Sequence, residues 1–351
     1  MQVSSWVVEQ AKQDMVLKAR ELEAGPGEVI VEVAGCGVCH TDLGFFYDGV
    51  PTRQSFPLTL GHEVSGRVVE AGEGAEGWLE AAVIVPAVIP CGSCNACRTG
   101  HGRICPEQVF PGSDVHGGFG SHLLVPARGL CRVPALPEGL KLAHLSVVAD
   151  AITTPYQAIA VSGLAPGELA VFIGVGGVGG FGVQIARAIG ARVIALDTSE
   201  ERLALLAKHG AELCLNPKEL DFRAIKKAVQ GFAGRAGIPS WRQRIFECSG
   251  SAAGQQTAFG LLGRGGSLGI VGFTRDKLEL RLSNLMAFDA TCRGTWGCLP
   301  ELYPPALELV LRGDVVLAPF VDERPLSTIN ESFAALHEHR VRGRLILCPE
   351  T

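Results

Sequence analysis

Short runs of alternating apolar and polar residues dominate the first third of the chain. Val29-Ile30-Val31-Glu32-Val33, Glu63–Glu70 and Ala82–Val88 follow the period of two that predicts half-buried strands. Glycine and proline punctuate the stretches between them, which is β-barrel-like material. The glycines at 35 and 37 are expected to end the first strand in a loop. From about residue 145 the texture changes. Leu145–Val161 reads as a helix and Leu169–Ile173 as a fully apolar strand. Further strands are expected at Arg192–Leu196, Glu212–Leu215, Arg244–Cys248, Ser267–Phe273 and Thr291–Trp296, with helices between. That alternation builds βαβ units on a parallel sheet. Gly231–Gln243 reads as a long loop, Leu302–Leu311 as a helix, and the polar, proline-broken tail as strands that rejoin the first domain.

At 351 residues the chain exceeds the size at which one core stops growing, so two domains are expected. Its 45 glycines fit a turn-rich α/β architecture. A net charge of −5 leaves no basic footprint for nucleic acid. The N-terminal residues show no signal-peptide pattern, and no apolar run approaches the ~20 residues of a membrane span. The expected compartment is the cytoplasm. Twelve cysteines in such a chain point to metal ligation and structural thiols rather than disulfides.

Three motifs carry chemistry. Ala34–Asp42 (AGCGVCHTD) delivers Cys39 at a strand end, and Gly61-His62-Glu63 brings an imidazole on a second loop. A thiol and an imidazole on separate arms, with carboxylates at Asp42 and Glu63, suit an open zinc site. The bland alternative is a buried cysteine beside a turn histidine. Cys91, Cys94, Cys97 and Cys105 form a C-x2-C-x2-C-x7-C cluster, which can surround one zinc with four thiolates and leave no open position. This second ion is expected to be structural. Gly174, Gly176, Gly177, Val178 and Gly179 lie in GVGGVG, a G-x-G-x-x-G match that follows the apolar strand and opens a helix. The next strand ends at Asp197, where an acid accepts from a ribose and repels a 2′-phosphate, favouring NAD over NADP. The competing role for Asp197 is a helix cap.

Taken in order, GCGVCHTD, GHEVSG, the four-cysteine loop, GVGGVG and Asp197 resemble the zinc-dependent medium-chain alcohol dehydrogenase family over essentially the whole chain. The resemblance implies an α/β fold: a GroES-like β-barrel catalytic domain, residues 1–148 and 301–351, interrupted by a Rossmann doubly wound NAD-binding domain, residues 149–300. It also places the active site in the cleft between them. Cys39 and His62 are then zinc ligands, Glu63 a nearby carboxylate able to coordinate, and Asp42 the group that orients His62. The third ligand of many members is a cysteine, where this chain has Asp150; its competing role is an N-cap for the following helix. Thr41 holds the hydroxyl position that passes on the substrate proton. A relay histidine found in some members is replaced here by Gly44. Thr154 and Trp296 would border the nicotinamide, and Arg202 and Arg344 would meet the adenosine ribose and the pyrophosphate. The implied cofactors are NAD and two Zn²⁺ per chain, and a homo-oligomer, dimer or tetramer, is expected.

The stretches HTDLGFFYDGVPT, PLTLGHEVSG, LSVVADAITTPYQA and LMAFDATCRGTWGCLPELYP are similar to a narrower group within the family, the 6-hydroxycyclohex-1-ene-1-carbonyl-CoA dehydrogenases of anaerobic benzoyl-CoA degradation. That similarity implies a cyclic allylic alcohol carrying a CoA thioester, oxidised to the 6-oxo product. The conjugated product offers a second hydride acceptor, by 1,4-addition. Arg53, Arg235, Arg242 and Arg244 are the basic residues available for CoA phosphates, with solvated surface as the competing reading. A general secondary-alcohol or polyol dehydrogenase would share every metal and cofactor motif.

Overall fold

A computed structural model describes residues 1–350 as two compact units. The first comprises Met1–Thr153, Gly297–Leu311 and, among the described residues, 317–350; the second comprises Thr154–Trp296 and Arg312–Val316. The division falls a few residues beyond the expected boundary at 148, so Asp150 belongs to the first unit. Among the described residues no helix is long and apolar enough to cross a membrane.

The first unit is built on a seven-stranded sheet. Its path runs Val321–Pro325, Arg344–Cys348, Glu28–Gly37, Glu63–Ala71, Ala82–Val85 and Cys131–Arg132, with His122–Pro126 also paired to Glu28–Gly37. The strand Glu28–Gly37 is thus central, with Gly37 opposite Glu63 on one side and Ile346 on the other. Its inward residues Val29, Val31 and Val33 join Val64, Val68, Val83, Phe119 and Leu345 in one apolar core. Contrary to the sequence pattern, Gly35 and Gly37 do not break this strand. Pairing continues to Gly37, with register shifts at Ile30/Val31 and Val33/Gly35. A Cβ on Gly37 would lie 2.1 Å from the Glu63 carboxylate, so glycine is required for the close approach of that side chain.

The tail does return to this sheet, but it includes a helix, Ile329–His337, that the proline-broken pattern concealed. Buried Ile329, Ser332, Phe333 and Ala335 anchor it. Leu145–Val161 is not one helix either. A 3-10 stretch, Ala143–Ala149, precedes the helix Thr153–Ser162, and the interruption falls at Asp150, with φ −145° and ψ −56°.

The second unit carries six parallel strands: Leu213–Leu215, Arg192–Leu196, Leu169–Ile173, Gln243–Glu247, Ser267–Ile270 and Thr291–Gly294, in that spatial order. Numbered along the chain, the order is 3-2-1-4-5-6, the doubly wound Rossmann arrangement, which reverses direction beside Leu169–Ile173. The expected loop at Gly231–Gln243 is shorter than the pattern suggests, because its first residues, to Arg235, continue a helix, and a 3-10 turn, Ser240–Arg242, closes it. Phe222–Arg235 is a helix capped by the Asp221 side chain, and Ile225, Val229 and Phe232 are buried on one face. Their 4-and-3 spacing outweighs the two glycines within it.

Candidate active site and metal centres

The central strand explains why distant residues meet. It ends at Gly37 and feeds Cys39, while its two neighbours begin at Glu63 and Arg344. Asp42 then ties the two ligand loops together. One carboxylate oxygen accepts from the Cys39 amide at 2.9 Å and the other from the Gly61 amide at 3.2 Å. The latter oxygen also lies 3.3 Å from His62 Nδ1, which is otherwise unbonded.

Asp150 completes the group. Its Oδ2 lies 3.7 Å from Cys39 Sγ and 3.8 Å from His62 Nε2. The donor atoms of Cys39, His62, Glu63 and Asp150 all fall within 4.8 Å of one another. A tetrahedral zinc with sulfur at ~2.3 Å and N or O at ~2.1 Å separates its ligand atoms by ~3.5 Å, so the observed spacings fit such an ion. The helix after Asp150 begins at Thr153, which puts Asp150 ahead of the cap position.

Charge makes the same point. Cys39, Asp42, Glu63 and Asp150 surround a site where Arg344 is the permanent cation. Burial disfavours a charged His62, but Asp42 and then Asp150 outweigh it and raise the imidazole above its ordinary value. Burial pushes the Glu63 carboxyl up, to about 7, against the pull of Arg344. A divalent cation would relieve this crowding of acidic groups.

Arg344 has a partner within the first unit that the sequence did not suggest. Its guanidinium is buried against Glu63, with Nε 2.9 Å from Oε2 and Nη2 bonded to Oε1, and Nη2 lies 3.7 Å from Asp150. The two strands that flank the central strand bring it there, 281 positions from Glu63 in sequence. Sequence reasoning missed this partnership because no local pattern spans that distance.

The four-cysteine cluster is a single loop. Sulfur separations are 3.9 Å (Cys91–Cys97), 3.5 Å (Cys94–Cys97) and 3.7 Å (Cys94–Cys105). Those values exclude disulfides and match the ~3.8 Å edge of a tetrahedral zinc–thiolate centre. Backbone amides of Cys94, Cys97 and Cys91 point at the sulfurs of Cys91, Cys94 and Cys105. The Cys94 amide, with help from Ser93, lowers the Cys91 thiol to about 6. Burial and the neighbouring thiols push Cys97 up to about 12.

In the second unit, Gly174 has φ +80° and packs against Ser249, where a Cβ would come within 2.4 Å of Cα. At Gly176 the space is open except for the tip of Arg202, leaving room for a phosphate group. The helix Gly179–Ile189 starts at this turn with no side-chain cap. Asp197 accepts from the Val175 amide at 2.8 Å and the Ser199 amide at 2.9 Å, and Arg202 lies 3.7 Å away. Ser199, not Asp197, caps the helix Glu200–Lys208. Trp296 is half exposed, and its carbonyl accepts from Gln157 on the helix whose first turn carries Thr154. Thr41 lies at the open cluster, its Oγ1 3.6 Å from Cys39 Sγ. Arg242 and Arg244 are both engaged by Glu168, at 3.3 and 3.4 Å, and Arg53 meets Asp114 at 3.5 Å.

A doubly wound sheet with a glycine turn in one unit, and one open and one closed cluster of metal-ligating residues in the other, define a metal-dependent dehydrogenase. Residues 25–135 match the alcohol dehydrogenase GroES-like domain, and residues 177–312 match the zinc-binding dehydrogenase domain. An alcohol dehydrogenase of Geobacillus stearothermophilus is 30% identical, over 97% of each chain. A NAD-dependent alcohol dehydrogenase of Sulfolobus acidocaldarius is 34% identical over 60% of this chain and 62% of its own length. The crystal structure of an alcohol dehydrogenase from Aeropyrum pernix superposes with a TM-score of 0.86 at 29% identity, covering 99% of this chain and 100% of the other. The chain belongs to the zinc-binding alcohol dehydrogenase family and is an oxidoreductase.

Proposed function

We propose that the protein oxidises a secondary alcohol with NAD at the open cluster, with Cys39, His62 and Asp150 as the zinc ligands. The observation that carries this reading is the convergence of their donor atoms, with that of Glu63, within 4.8 Å, while Arg344 pairs with Glu63. Zinc, when bound, supplies a Lewis acid that lowers the pKa of an alcohol. Asp42 orients His62, and Thr41 carries the hydroxyl that conducts the alcohol proton away. The second unit holds the dinucleotide: the Gly174–Gly179 turn takes the pyrophosphate, and Asp197 accepts from the adenosine ribose. Asp197 is the reason for choosing NAD, since its negative charge disfavours a 2′-phosphate. Arg202, 3.7 Å from Asp197, is available to the same ribose, and Thr154 and Trp296 to the nicotinamide. The four-cysteine zinc contributes folding energy only.

The names of the relatives above support an alcohol as substrate. The cyclic allylic CoA thioester, and 1,4-hydride addition to its oxidised product, rest on the four sequence stretches alone. With Arg242 and Arg244 already paired, neither adds support for a CoA site. A cytoplasmic homo-oligomer accords with the reading, and the exposed edge strand Thr291–Gly294 offers a surface for self-association. The test is NAD reduction across cyclic and acyclic secondary alcohols, free and as CoA thioesters. Turnover of free alcohols supports the general reading, turnover confined to thioesters supports the narrower one, and no turnover of any alcohol refutes both.

A further inference from the structure

Asp150 presents a physical problem. It lies between two elements rather than within one, yet a metal ligand has to be held to a fraction of an ångström. The 3-10 stretch before it ends at Ala149, and the helix after it begins only at Thr153. What fixes Ala149 comes from far along the chain.

Tyr303 opens the helix Tyr303–Leu311 and is fully buried. Its hydroxyl donates to the Ala149 carbonyl at 2.5 Å and accepts from the Ala87 amide at 3.1 Å. Ala149 O belongs to the peptide that leads into Asp150, and Ala87 lies just past the strand Ala82–Val85. One phenol oxygen therefore joins the segment after that strand to the ligand-bearing turn, using both its donor and an acceptor position. The Thr153 hydroxyl and the Cys298 thiol lie beside it, and the Asp150 charge is close enough to act on both Cys298 and Tyr303.

We propose that Tyr303 is a positioning residue for the open metal centre: its hydroxyl locks the Ala149–Asp150 peptide so that the Asp150 carboxylate reaches Cys39 and His62. Tyr303 touches no reacting atom. It sets how tightly the site holds a divalent cation and how Asp150 faces it, and it rests on the reading of Asp150 as a ligand. Groups that orient metal ligands typically change metal affinity ~10–100-fold when removed.

The test uses full-length protein loaded with Co²⁺, whose thiolate charge-transfer and ligand-field bands report the two centres separately. Tyr303→Phe keeps the ring and removes the oxygen. It is expected to weaken Co²⁺ at the open centre by roughly 10–100-fold and to alter that centre's ligand-field bands, leaving the four-cysteine bands unchanged. Wild-type affinity and bands would overturn the proposal. So would parallel loss of metal from both centres, which marks general loosening. If Tyr303→Phe fails to fold, 3-fluorotyrosine at 303 keeps the shape while making the hydroxyl a better donor and a weaker acceptor. A change in the open-centre bands is then expected, and identical bands would overturn the proposal. Asp150→Ala is measured alongside. Unchanged Co²⁺ binding in that variant refutes Asp150 as a ligand, whereas weakened binding there with unaffected Tyr303 variants refutes only the positioning role.

Discussion

The four-cysteine cluster draws every donor atom from one loop, Cys91 to Cys105, whereas the open cluster is gathered from the whole first unit. Cys39 and Asp150 are 111 positions apart, and Glu63 meets Arg344 across 281. The closed cluster needs only its own turns and the amides that point at its sulfurs. The open cluster needs three sheet neighbours in register, the Asp42 bridge between two loops, and a turn held by Tyr303. A locally built centre saturates its ion and stabilises a fold. A centre assembled at long range can leave a coordination position free, because no single loop crowds the ion.

This contrast can be broken by removing one ligand from each. Cys39→Ser is expected to lower kcat/KM by roughly 10³-fold or more, since several kcal/mol of charge stabilisation at the reacting oxygen disappears. Its melting temperature should stay near wild type, and about one zinc per chain should remain by metal analysis. Cys94→Ser should do the reverse. It should release the other zinc and lower the melting temperature by roughly 10 °C, a cost of several kcal/mol for a unit of this size. Turnover per folded molecule should be largely kept at low temperature.

Two further changes sharpen the contrast without touching either cluster. Asp197→Ala should reduce kcat/KM with NAD by roughly 10–100-fold, the worth of charge-assisted hydrogen bonds, and raise relative use of NADP, with both zincs retained. The smallest effect is expected at His116, whose Nδ1 accepts from the Thr59 amide, ahead of the Gly61-His62 turn. Burial, and then the charge of Arg20, lower this imidazole to about 4. The unfolded chain takes up the proton near pH ~6.5 and the folded chain only near 4. Its contribution is therefore complete above pH ~6.5 and is lost as pH falls toward 4. In His116→Gln, the fall in urea midpoint across this window should be shallower than in wild type.

Much of this was legible in the sequence, and the reason lies in the range of the interactions. The cysteine spacing and the glycine turn are local, and both appear where the residues alone place them. The strands Leu169–Ile173 and Arg192–Leu196 have the expected bounds because buried parallel strands are apolar throughout. The continuation of Glu28–Gly37 through its glycines was hidden, because what demands Gly37 is the Glu63 side chain on another strand. The break at Asp150 was hidden for a similar reason. Its neighbours are apolar and helix-like, and only the converging Cys39 and His62 explain the interruption. Arg344 shows the limit most clearly, since its pairing with Glu63, 281 positions away, is set by sheet register and has no local signature.

The central claim is that one zinc serves chemistry and the other serves the fold. It is tested most directly by dialysing purified enzyme against a graded series of chelator concentrations, then measuring zinc per chain, NAD-linked turnover and melting temperature on the same samples. The account predicts that turnover falls in proportion to one zinc and melting temperature in proportion to the other. Turnover and melting temperature that both follow the same zinc, or turnover that survives removal of both, would contradict it.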